Sequence, residues 1–578
     1  MTNDDATIPQ PPLNAHPMAS STSTGESVNV GQRLSAMAER MPAAVAIVMP
    51  RGRKGQGKRQ YDQVSFAQLE EDTNRLAAGL VRMGVTPGMR LALMVPPSID
   101  FIALTFAVLK SGAVAVLIDP GMGRRSLLRC LDEVRPEGFV GIPLVHAVRT
   151  LMGRRFAHAS QHVTVGRRWW WGGTTIDELR DTNNQDVRLP TTRADDPAAI
   201  IFTTGSTGPP KGVLYRHGNF DMQVEQIRDR YKIQPGDIDL PGFPLFGLFN
   251  CAMGVTTVIP DMDPTRPARV DPRNILAAAR EWQVTQSFGS PAIWNAVGRF
   301  CETHGERLPT VRRILSAGAP VAPDVLERMT RHMHPDGEMH TPYGATEALP
   351  VASISAAEVL GETAARTRTG AGTCVGRRFS RIQWKVIEID DGPIASLDAA
   401  RELPAGSIGE LIVSGPVVTT EYVTRVEANA LSKIQDGEDR WHRMGDIGYL
   451  DEQDRFWFCG RKAHRVLTTA GPLYTVPCEA IFNQHQSVYR SALVGVGKSG
   501  EQIPVIIVEC EPHAIPATKL DRRTLFAELR SLGAAQEHTQ RIEQFLVHAS
   551  LPVDIRHNAK IFRERLGVWA ERRLARQN

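Results

Sequence analysis

The chain of 578 residues has little of several features that would assign it to a special class of protein. Its seven cysteines are scattered and none forms a C-x-x-C pair, which argues against a disulfide framework or a zinc site and favours a reduced, cytoplasmic setting. The net charge is only +4, so nothing in the charge balance predicts a nucleic-acid partner. One hydrophobic core rarely serves so long a chain, and we expect at least two domains.

The sequence also offers no secretory signal and no apolar run that would cross a membrane. Residues 1–28 are rich in Ser, Thr, Pro and Asn, and we expect them to form a disordered leader. Apolar residues run from Phe101 to Ile118, but Lys110-Ser111-Gly112 interrupts them, and a span needs ~20 in succession. With a strand over residues 90–95, this run instead predicts a β-α-β unit.

Strand and helix patterns follow one another along most of the chain. Ser65 and Gln68 suit a capping box at the start of an amphipathic helix. Helical patterns separate several of the strand-like runs, which predicts an α/β architecture with largely parallel sheets. The strand-like runs cover residues 198–202, 255–259, 311–315 and 411–414.

A turn-rich passage over residues 451–462 divides the chain into two unequal parts. The part beyond it has its own strand-like runs and a helical pattern over residues 524–532. We therefore predict a large N-terminal domain over residues 29–460 and a small α+β domain over residues 461–578.

One loop carries the strongest chemical signal. It reads T-T-G-S-T-G-P-P-K-G from Thr203 to Gly212 and follows the apolar run over residues 198–202. Hydroxyl groups, glycine amides and the Lys211 ammonium on such a turn form a cradle for phosphate oxygens. The loop is not a Walker A motif, because no Gly-Lys-Ser/Thr stands at the required spacing. Taken alone, it could also be a loop without a ligand.

Further motifs follow in a fixed order. Small residues over 316–320 would let a flat ring approach the backbone, and Glu347 in the segment Y-G-A-T-E could hold Mg²⁺. Asp446, which we expect on a turn, could accept hydrogen bonds from two ribose hydroxyls. Arg461 and Lys560 follow. Each residue alone could equally be a turn former or a surface charge.

Together, these motifs resemble the adenylate-forming superfamily of acyl-CoA synthetases, luciferases and peptide-synthetase adenylation domains, over about residues 30–578. The resemblance implies a large N-terminal α/β domain with a small, mobile C-terminal α+β lid. It implies that ATP and Mg²⁺ are used. The phosphates would lie against Thr203, Thr204, Gly205, Ser206, Thr207, Gly208 and Lys211, adenine against Gly318, Ala319, Pro320 and Tyr343, phosphate and Mg²⁺ against Thr346 and Glu347, the ribose against Asp446 and Arg461, and the substrate carboxylate against Lys560.

One position departs from the superfamily pattern. A hinge residue, usually Asp or Lys, stands two places after the ribose-binding arginine in the superfamily, whereas this chain has Ala463 there. Lys462 is then the candidate hinge residue.

Three segments, residues 201–211, 243–250 and 288–294, are similar to the β-lactone synthetases of bacterial long-chain olefin biosynthesis. That resemblance implies that a long-chain 2-alkyl-3-hydroxy fatty acid is adenylated and that its own 3-hydroxyl then closes a β-lactone. Gly247 stands where many acyl-CoA synthetases have a histidine or bulky aromatic residue, which leaves room for a branched acid. The base for the hydroxyl is His217, His340 or a phosphate oxygen of the adenylate.

Two other functions are open from the sequence. The first is a long-chain fatty acyl-CoA ligase, which would use the same acyl-adenylate with the thiol of coenzyme A as nucleophile. The second is a non-catalytic nucleotide-binding scaffold. The presence of Lys211, Glu347, Asp446 and Lys560 in one chain argues against the scaffold.

Trp169, Trp170 and Trp171 form an unusual run behind two arginines. The packing interpretation places the rings at a strand end against the large domain. The functional interpretations are contact with a membrane surface, a greasy substrate mouth, or an assembly with other olefin-pathway enzymes.

Overall fold

The computed structural model describes residues 27–53, 59–181, 187–203, 208–554 and 560–576. The predicted leader, residues 1–28, lies almost wholly outside these ranges. In chain order, the strands are β1 Val45–Arg53, β2 Arg59–Ser65, β3 Arg90–Met94, β4 Val114–Leu117, β5 Gly138–Gly141, β6 Gln161–Thr164, β7 Thr174–Thr175, β8 Pro197–Phe202, β9 Gly212–Arg216, β10 Ile238–Asp239, β11 Thr256–Val258, β12 Gln286–Gly289, β13 Arg313–Ser316, β14 Glu338–Ala345, β15 Ala348–Ser355, β16 Thr373–Arg378, β17 Gln383–Ile387, β18 Gly409–Ser414, β19 Lys433–Asp436, β20 Asp439–Leu450, β21 Arg455–Arg461, β22 Val466–Thr468, β23 Gly471–Leu473, β24 Val488–Val496, β25 Ile503–Cys510 and β26 Gln544–Val547.

The α-helices pack against the sheets and connect many of the parallel strands. In chain order, they are α1 Gln32–Arg40, α2 Phe66–Arg82, α3 Ile99–Lys110, α4 Arg124–Val134, α5 Pro143–Leu151, α6 Ile176–Asp181, α7 His217–Tyr231, α8 Phe246–Met253, α9 Pro272–Glu281, α10 Pro291–His304, α11 Pro323–His332, α12 Ala356–Glu358, α13 Ala364–Arg368, α14 Ala428–Ser432, α15 Thr475–Phe482, α16 Lys519–Ala534 and α17 Arg563–Leu574.

The first 461 residues carry two large sheets. The smaller has the strand order β7-β6-β5-β3-β4-β8-β9 and is parallel except for the β8–β9 pair. It confirms the predicted β-α-β unit, because β3 and β4 are parallel and the buried helix α3 connects them. The capping box is also confirmed: the Ser65 hydroxyl accepts from the Gln68 amide, and the Gln68 side chain accepts from the Ser65 amide.

The larger sheet is only half parallel, contrary to the sequence-based prediction. Strands β10 to β14, with β1, form the parallel half, whereas β14 to β18 with β20 and β21 pair antiparallel. Short hairpins, not helices, connect several of these antiparallel strands. Their turns are too short to produce the helical spacing on which the parallel prediction rested.

The passage over residues 451–462 is not mainly turn, as the sequence suggested. The turn is confined to four residues, 451–454, after which Phe456, Trp457 and Phe458 belong to β21. Their aromatic side chains favour a strand, and Phe456 and Trp457 are fully buried. Asp446 likewise lies within β20 and not on a turn.

Beyond Arg461, the chain forms a smaller unit with a separate core. It contains the β24-β25-β26 sheet, the β22-β23 hairpin and α15 to α17. Leu493, Ile506, Leu529 and Phe545 pack together in its interior. The domain boundary near Arg461 remains our proposal. It is consistent with Arg461 being the last residue of β21.

Among the helices of the described ranges, none combines the length and apolar character that crossing a bilayer would require.

Candidate active site

The ends of the phosphate-loop candidate are joined by backbone contacts. The Thr203 amide donates to the Lys211 carbonyl oxygen over 2.9 Å, and the Lys211 amide donates to the Thr203 hydroxyl over 3.1 Å. Thr204, Gly205, Ser206 and Thr207 lie outside the described residues, and Gly208 is exposed. The loop is therefore closed at its base, directly after β8.

The Thr346-Glu347 pair forms the two-residue turn between β14 and β15. The register pairs Ala345 with Ala348, so the turn projects from the end of the hairpin. The Thr346 carbonyl oxygen accepts from the Tyr215 hydroxyl over 2.6 Å. The Glu347 carbonyl oxygen accepts from both the amide and the hydroxyl of Thr419, over 2.9 and 3.0 Å. Backbone contacts on two sides therefore hold this turn in place.

Tyr422 connects the turn to the phosphate loop. Its hydroxyl donates to Glu347 Oε1 over 2.6 Å, and Lys211 Nζ donates to the same hydroxyl over 3.2 Å. The Lys211 ammonium also lies 4.2 Å from the centre of the Tyr422 ring. Burial lowers the pKa of Lys211, although the nearby Glu347 carboxylate opposes that shift. Sequence reasoning missed Tyr422, because its partners are distant in the chain and no motif surrounds it.

A second buried lysine lies close to this group. Lys433 begins β19, and its ammonium donates to the Thr419 carbonyl oxygen and lies 5.8 Å from the Tyr422 ring centre. Burial lowers the pKa of Lys433 to about 7, against the attraction of Glu347. Lys433 was also missed, since nothing in the sequence distinguishes it from solvated lysines.

Tyr343, Asp446 and Arg461 form a second polar cluster. The Tyr343 hydroxyl donates to Asp446 Oδ2, and Arg461 Nη1 donates to Asp446 Oδ1 over 2.6 Å. The strand register brings Asp446 and Arg461 together, because they face each other across β20 and β21. The Asp446 carboxylate raises the pKa of Arg461, while burial and then Asp446 raise that of Tyr343. The cluster thus gathers three of the predicted nucleotide-binding residues.

The segment Gly318-Ala319-Pro320 follows β13 at the carboxyl edge of the parallel half-sheet. Leu315 pairs with His340 in β14, so Gly318 and Tyr343 each stand three residues beyond a paired position. Gly318 has φ +94°, a conformation that favours glycine, and it is exposed. Gly318 and Tyr343 therefore stand at the same edge of the sheet. Ligands of α/β sheets commonly bind at such an edge.

An apolar cavity adjoins the same half of the molecule. Its volume is about 400 Å³ with open solvent included, and Phe101, Ile102, Pro241 and Thr257 contribute to its wall. Gly247 lies directly behind this wall: a Cβ there would stand 3.1 Å from Ile102 Cδ1 and 3.3 Å from Thr257 Cγ2. A larger residue at position 247 would push these side chains into the cavity.

A smaller space, about 230 Å³ with open solvent included, is lined in part by the stacked Phe246 and Phe288 rings. It contains Asp239, which is 1% exposed and accepts from Asn250 Nδ2 over 2.6 Å. Burial raises the pKa of Asp239 to about 7. Sequence reasoning missed this carboxyl group as well.

Lys560 lies in the smaller unit and is exposed. Its carbonyl oxygen accepts from the Asp554 amide over 2.9 Å, next to the bridge between Val553 and Ile561. Residues 555–559, which include Asn558 and Ala559, lie outside the described ranges. A catalytic role for Lys560 remains a proposal that requires the lid to present its ammonium to the cleft.

Lys462, the hinge candidate, is anchored on the larger unit. Its ammonium donates to Glu410 Oε2 and to the Asp390 carbonyl oxygen, each over 3.0 Å. Two residues later, the His464 ring lies 3.0 Å from Glu564 in α17. The segment between them is therefore fixed to one unit at each end, as a hinge requires.

The two histidines proposed as bases have unfavourable surroundings. His217 is fully buried, and its Nδ1 accepts from the Val30 amide over 3.4 Å. The His340 ring packs 5.1 Å from that of Tyr231. Burial lowers the pKa of each to about 4, which makes either imidazole a weak base.

The three tryptophans behave differently from one another. Trp171 is 7% exposed, donates to the Thr164 hydroxyl over 3.0 Å and stacks on His146. Trp169 and Trp170 are 57% and 66% exposed. The packing interpretation therefore holds for Trp171 alone.

Comparisons with known proteins agree with this architecture. A family model described as AMP-binding enzyme matches residues 34–423. The amide bond synthetase McbA from Marinactinospora thermotolerans superposes with a TM-score of 0.75 at 20% identity, covering 94% of this chain and 99% of McbA. ATP-bound MatB from Rhodopseudomonas palustris gives a TM-score of 0.74 with the same identity and coverage. These likenesses show an adenylate-forming fold.

Two relatives are much more similar in sequence, and both are named olefin β-lactone synthetase. The protein from Xanthomonas campestris is 48% identical over 94% of this chain and 97% of its own length. The protein from Stenotrophomonas maltophilia is 46% identical over 95% and 99%. The chain therefore belongs to the AMP-binding enzyme family and, within it, to the family of the olefin β-lactone synthetases.

Proposed function

We propose that the protein activates a 2-alkyl-3-hydroxy fatty acid with ATP and converts it to a β-lactone, releasing pyrophosphate and AMP. The observation that carries the first half is the pair of polar clusters around Glu347 and Asp446, which bring together residues from six separate strands and loops. The second half rests on the similarity to the two olefin β-lactone synthetases.

The first step joins two anions. A carboxylate oxygen attacks the α-phosphorus of ATP, the bond to the bridging oxygen breaks, and pyrophosphate leaves with the electron pair. The ammonium groups of Lys211 and Lys560 would oppose the repulsion between the anions in a partly dry cleft, where charge stabilisation is strongest.

The geometry of the clusters supports the proposed nucleotide-binding roles. Asp446 has one oxygen on Arg461 and the other on Tyr343, so its carboxylate is held in one orientation, from which it would accept hydrogen bonds from the ribose hydroxyls. Thr203 through Gly208 would contact the phosphates, and Thr346 would contact them as well. Gly318, Ala319 and Pro320 would border adenine.

Glu347 fits a magnesium ion. The residue is 9% exposed, and a neutral phenol occupies Oε1, so no direct ion pair cancels its charge among the contacts described above. Mg²⁺ is commonly held by one or two carboxylates together with substrate phosphates and water. The ion would neutralise phosphate charge, while this chain supplies the carboxylate and fixes it through Tyr422.

In the second step, the 3-hydroxyl oxygen attacks the acyl carbon and the acyl–oxygen bond to AMP breaks. The hydroxyl is held near the carbonyl by the substrate's own chain, an advantage that no free thiol has. The proton must pass to a base. We favour a phosphate oxygen of the adenylate, because His217 is buried, His340 is half-buried, and burial lowers the pKa of each to about 4.

The alternative, a long-chain acyl-CoA ligase, shares the first step and differs in the nucleophile. Gly247 favours the lactone reaction, since it leaves Ile102 and Thr257 in place and keeps the cavity that they line open to a branched acid. We also propose that the enzyme works in an assembly with other olefin-pathway enzymes. We propose separately that the protein is cytoplasmic and that Trp169 and Trp170 contact a membrane surface. Trp171 is packed inside and takes no part in that contact.

Incubation of one defined 3-hydroxy acid with ATP and Mg²⁺, with and without coenzyme A, tests this function. We expect AMP and lactone in both reactions. Turnover that requires coenzyme A would establish the ligase instead. If no pyrophosphate is released from ATP with any of a broad panel of acids, the result would support a non-catalytic nucleotide-binding scaffold.

A further inference from the structure

Exposed apolar side chains are concentrated in one part of the large domain. Of the fifteen large apolar side chains that are markedly exposed among the described residues, five lie between positions 144 and 170. Leu144, Val148 and Leu151 are 68%, 43% and 83% exposed, and their spacing places them on one face of α5. Trp169 and Trp170 supply the other two.

The tryptophan segment lies against α5. Arg149 on α5 donates to the Trp171 carbonyl oxygen over 3.3 Å, and the Trp171 ring stacks on His146 of the same helix. The Trp169 ring in turn lies 5.8 Å from that of Trp171. At the other end, a Cβ on Gly166 would lie 3.8 Å from Pro143. The tryptophan segment therefore runs along the side of α5 that carries His146 and Arg149, and both groups of exposed side chains lie in the same part of the surface.

The same stretch has positive charge only. Residues 138–176 contain five arginines and no Asp or Glu. Arg155 pairs with Asp132 and Arg168 with Glu178, both of which lie outside the stretch. Within the described residues, Arg154 and Arg167 are exposed and form no ion pair. The charge that remains available is positive and lies beside the apolar side chains.

We propose that this surface docks the enzyme on a bilayer of anionic phospholipids. We name it the α5–tryptophan surface and define it by Leu144, Val148, Leu151, Arg154, Arg167, Trp169 and Trp170. Tryptophan rings settle at the boundary between headgroups and acyl chains, and aliphatic side chains on one helix face enter the same layer. Arginines at the rim attract the negative lipid headgroups.

A bilayer suits these observations better than a protein partner does. A surface of one charge sign with unpaired arginines needs a partner of extended negative charge, which an anionic bilayer supplies over any area. The inference rests on the proposed function in one respect: a long-chain acid partitions into lipid, so an enzyme that uses it gains by working there.

The test is sedimentation of the full-length protein with vesicles, in the absence of ATP and acid. One set of vesicles is phosphatidylcholine alone, and the other contains equal parts of phosphatidylcholine and phosphatidylglycerol. We expect binding to the anionic vesicles only, with an affinity that falls as salt rises. The double variant Trp169→Ser/Trp170→Ser should bind at least about tenfold more weakly. Arg154→Gln/Arg167→Gln should lose about thirtyfold.

A matched control is available in the small domain. Ile515 and Leu520 are 62% and 71% exposed, so Ile515→Ser/Leu520→Ser removes comparable apolar surface elsewhere. Its vesicle binding should equal that of the wild type. Pyrophosphate release with a short, soluble acid should be unchanged in all variants, which shows that each is folded.

Either of two vesicle results would overturn the proposal: no binding of the wild type to anionic vesicles, or equal binding by the tryptophan variant. Loss of self-association in that variant, without any vesicle binding, would assign the surface to a protein contact and also contradict it. Because vesicle binding is measured without substrates, failure of the proposed reaction and failure of this docking are distinguishable.

Discussion

Replacing Tyr422 by phenylalanine tests whether the connection between Lys211 and Glu347 matters for catalysis. The substitution removes one oxygen, which donates to Glu347 over 2.6 Å and accepts from Lys211 over 3.2 Å. The ring and its contact with the Lys211 ammonium remain, since that contact is made by the ring face. Tyr422→Phe therefore removes the hydrogen bonds that orient Glu347 and Lys211 but keeps the packing of the ring.

The expected magnitude follows from the two lost contacts. A hydrogen bond to a charged group contributes about 1.5–3 kcal/mol, and both partners here are charged. If only one such bond is realised in the transition state, the rate of adenylation falls by about tenfold to a hundredfold. Because Glu347 is the proposed Mg²⁺ ligand, half-saturation should also require more Mg²⁺.

The assay is steady-state pyrophosphate release over a range of Mg²⁺ concentrations. Tyr231→Phe is the matched control, because Tyr231 is also buried but its hydroxyl bonds the neutral Ser353 hydroxyl over 3.0 Å. A kcat within threefold of the wild type and an unchanged Mg²⁺ dependence would refute the positioning role. A loss of melting temperature alone would refute it too.

Four other changes have defined outcomes. Lys560→Ala should slow adenylation by about 10²-fold with little change in KM for ATP, measured by pyrophosphate release; a rate within threefold of wild type would exclude Lys560 from the step. Asp446→Asn should raise KM for ATP by about tenfold or more, because Arg461 loses its charged partner; an unchanged KM would contradict the ribose role. Gly247→Val should lower kcat/KM for a branched acid by about tenfold and spare a short unbranched one, measured with both acids; equal losses would contradict the pocket assignment. Lys433 is buried with its pKa lowered to about 7, so as the pH rises the native state releases this proton before the unfolded state does. Relative to Lys433→Met, the free energy of unfolding from urea titrations should be flat below pH 7 and rise by up to about 1.4 kcal/mol per pH unit toward pH 10. A difference that does not change with pH would contradict the burial cost.

The sequence predicted much of the fold because its signals were local. The capping residues of the helix that begins at Phe66 predict it, and apolar runs of the right length predict the β3-α3-β4 unit. The antiparallel half of the large sheet was missed for the opposite reason. Pairing of β16 with β21, for example, joins segments about 80 residues apart and leaves no periodic trace in either.

The candidate site divides in the same way. Asp446 and Arg461 could be proposed from a recognisable order of motifs, and the register of β20 and β21 places them side by side. Tyr422, Lys433 and Asp239 could not be proposed, because their significance arises from burial and from partners brought together only by folding.

The most direct test of the account follows oxygen atoms through the reaction. One defined 2-alkyl-3-hydroxy acid, labelled with heavy oxygen at the 3-hydroxyl in one sample and at the carboxylate in another, is incubated with ATP and Mg²⁺ without any thiol, and the products are analysed by mass spectrometry. The account predicts that the hydroxyl label stays in the lactone and that AMP acquires one carboxylate oxygen. Unlabelled AMP, or a product that forms only when coenzyme A is added, would contradict it.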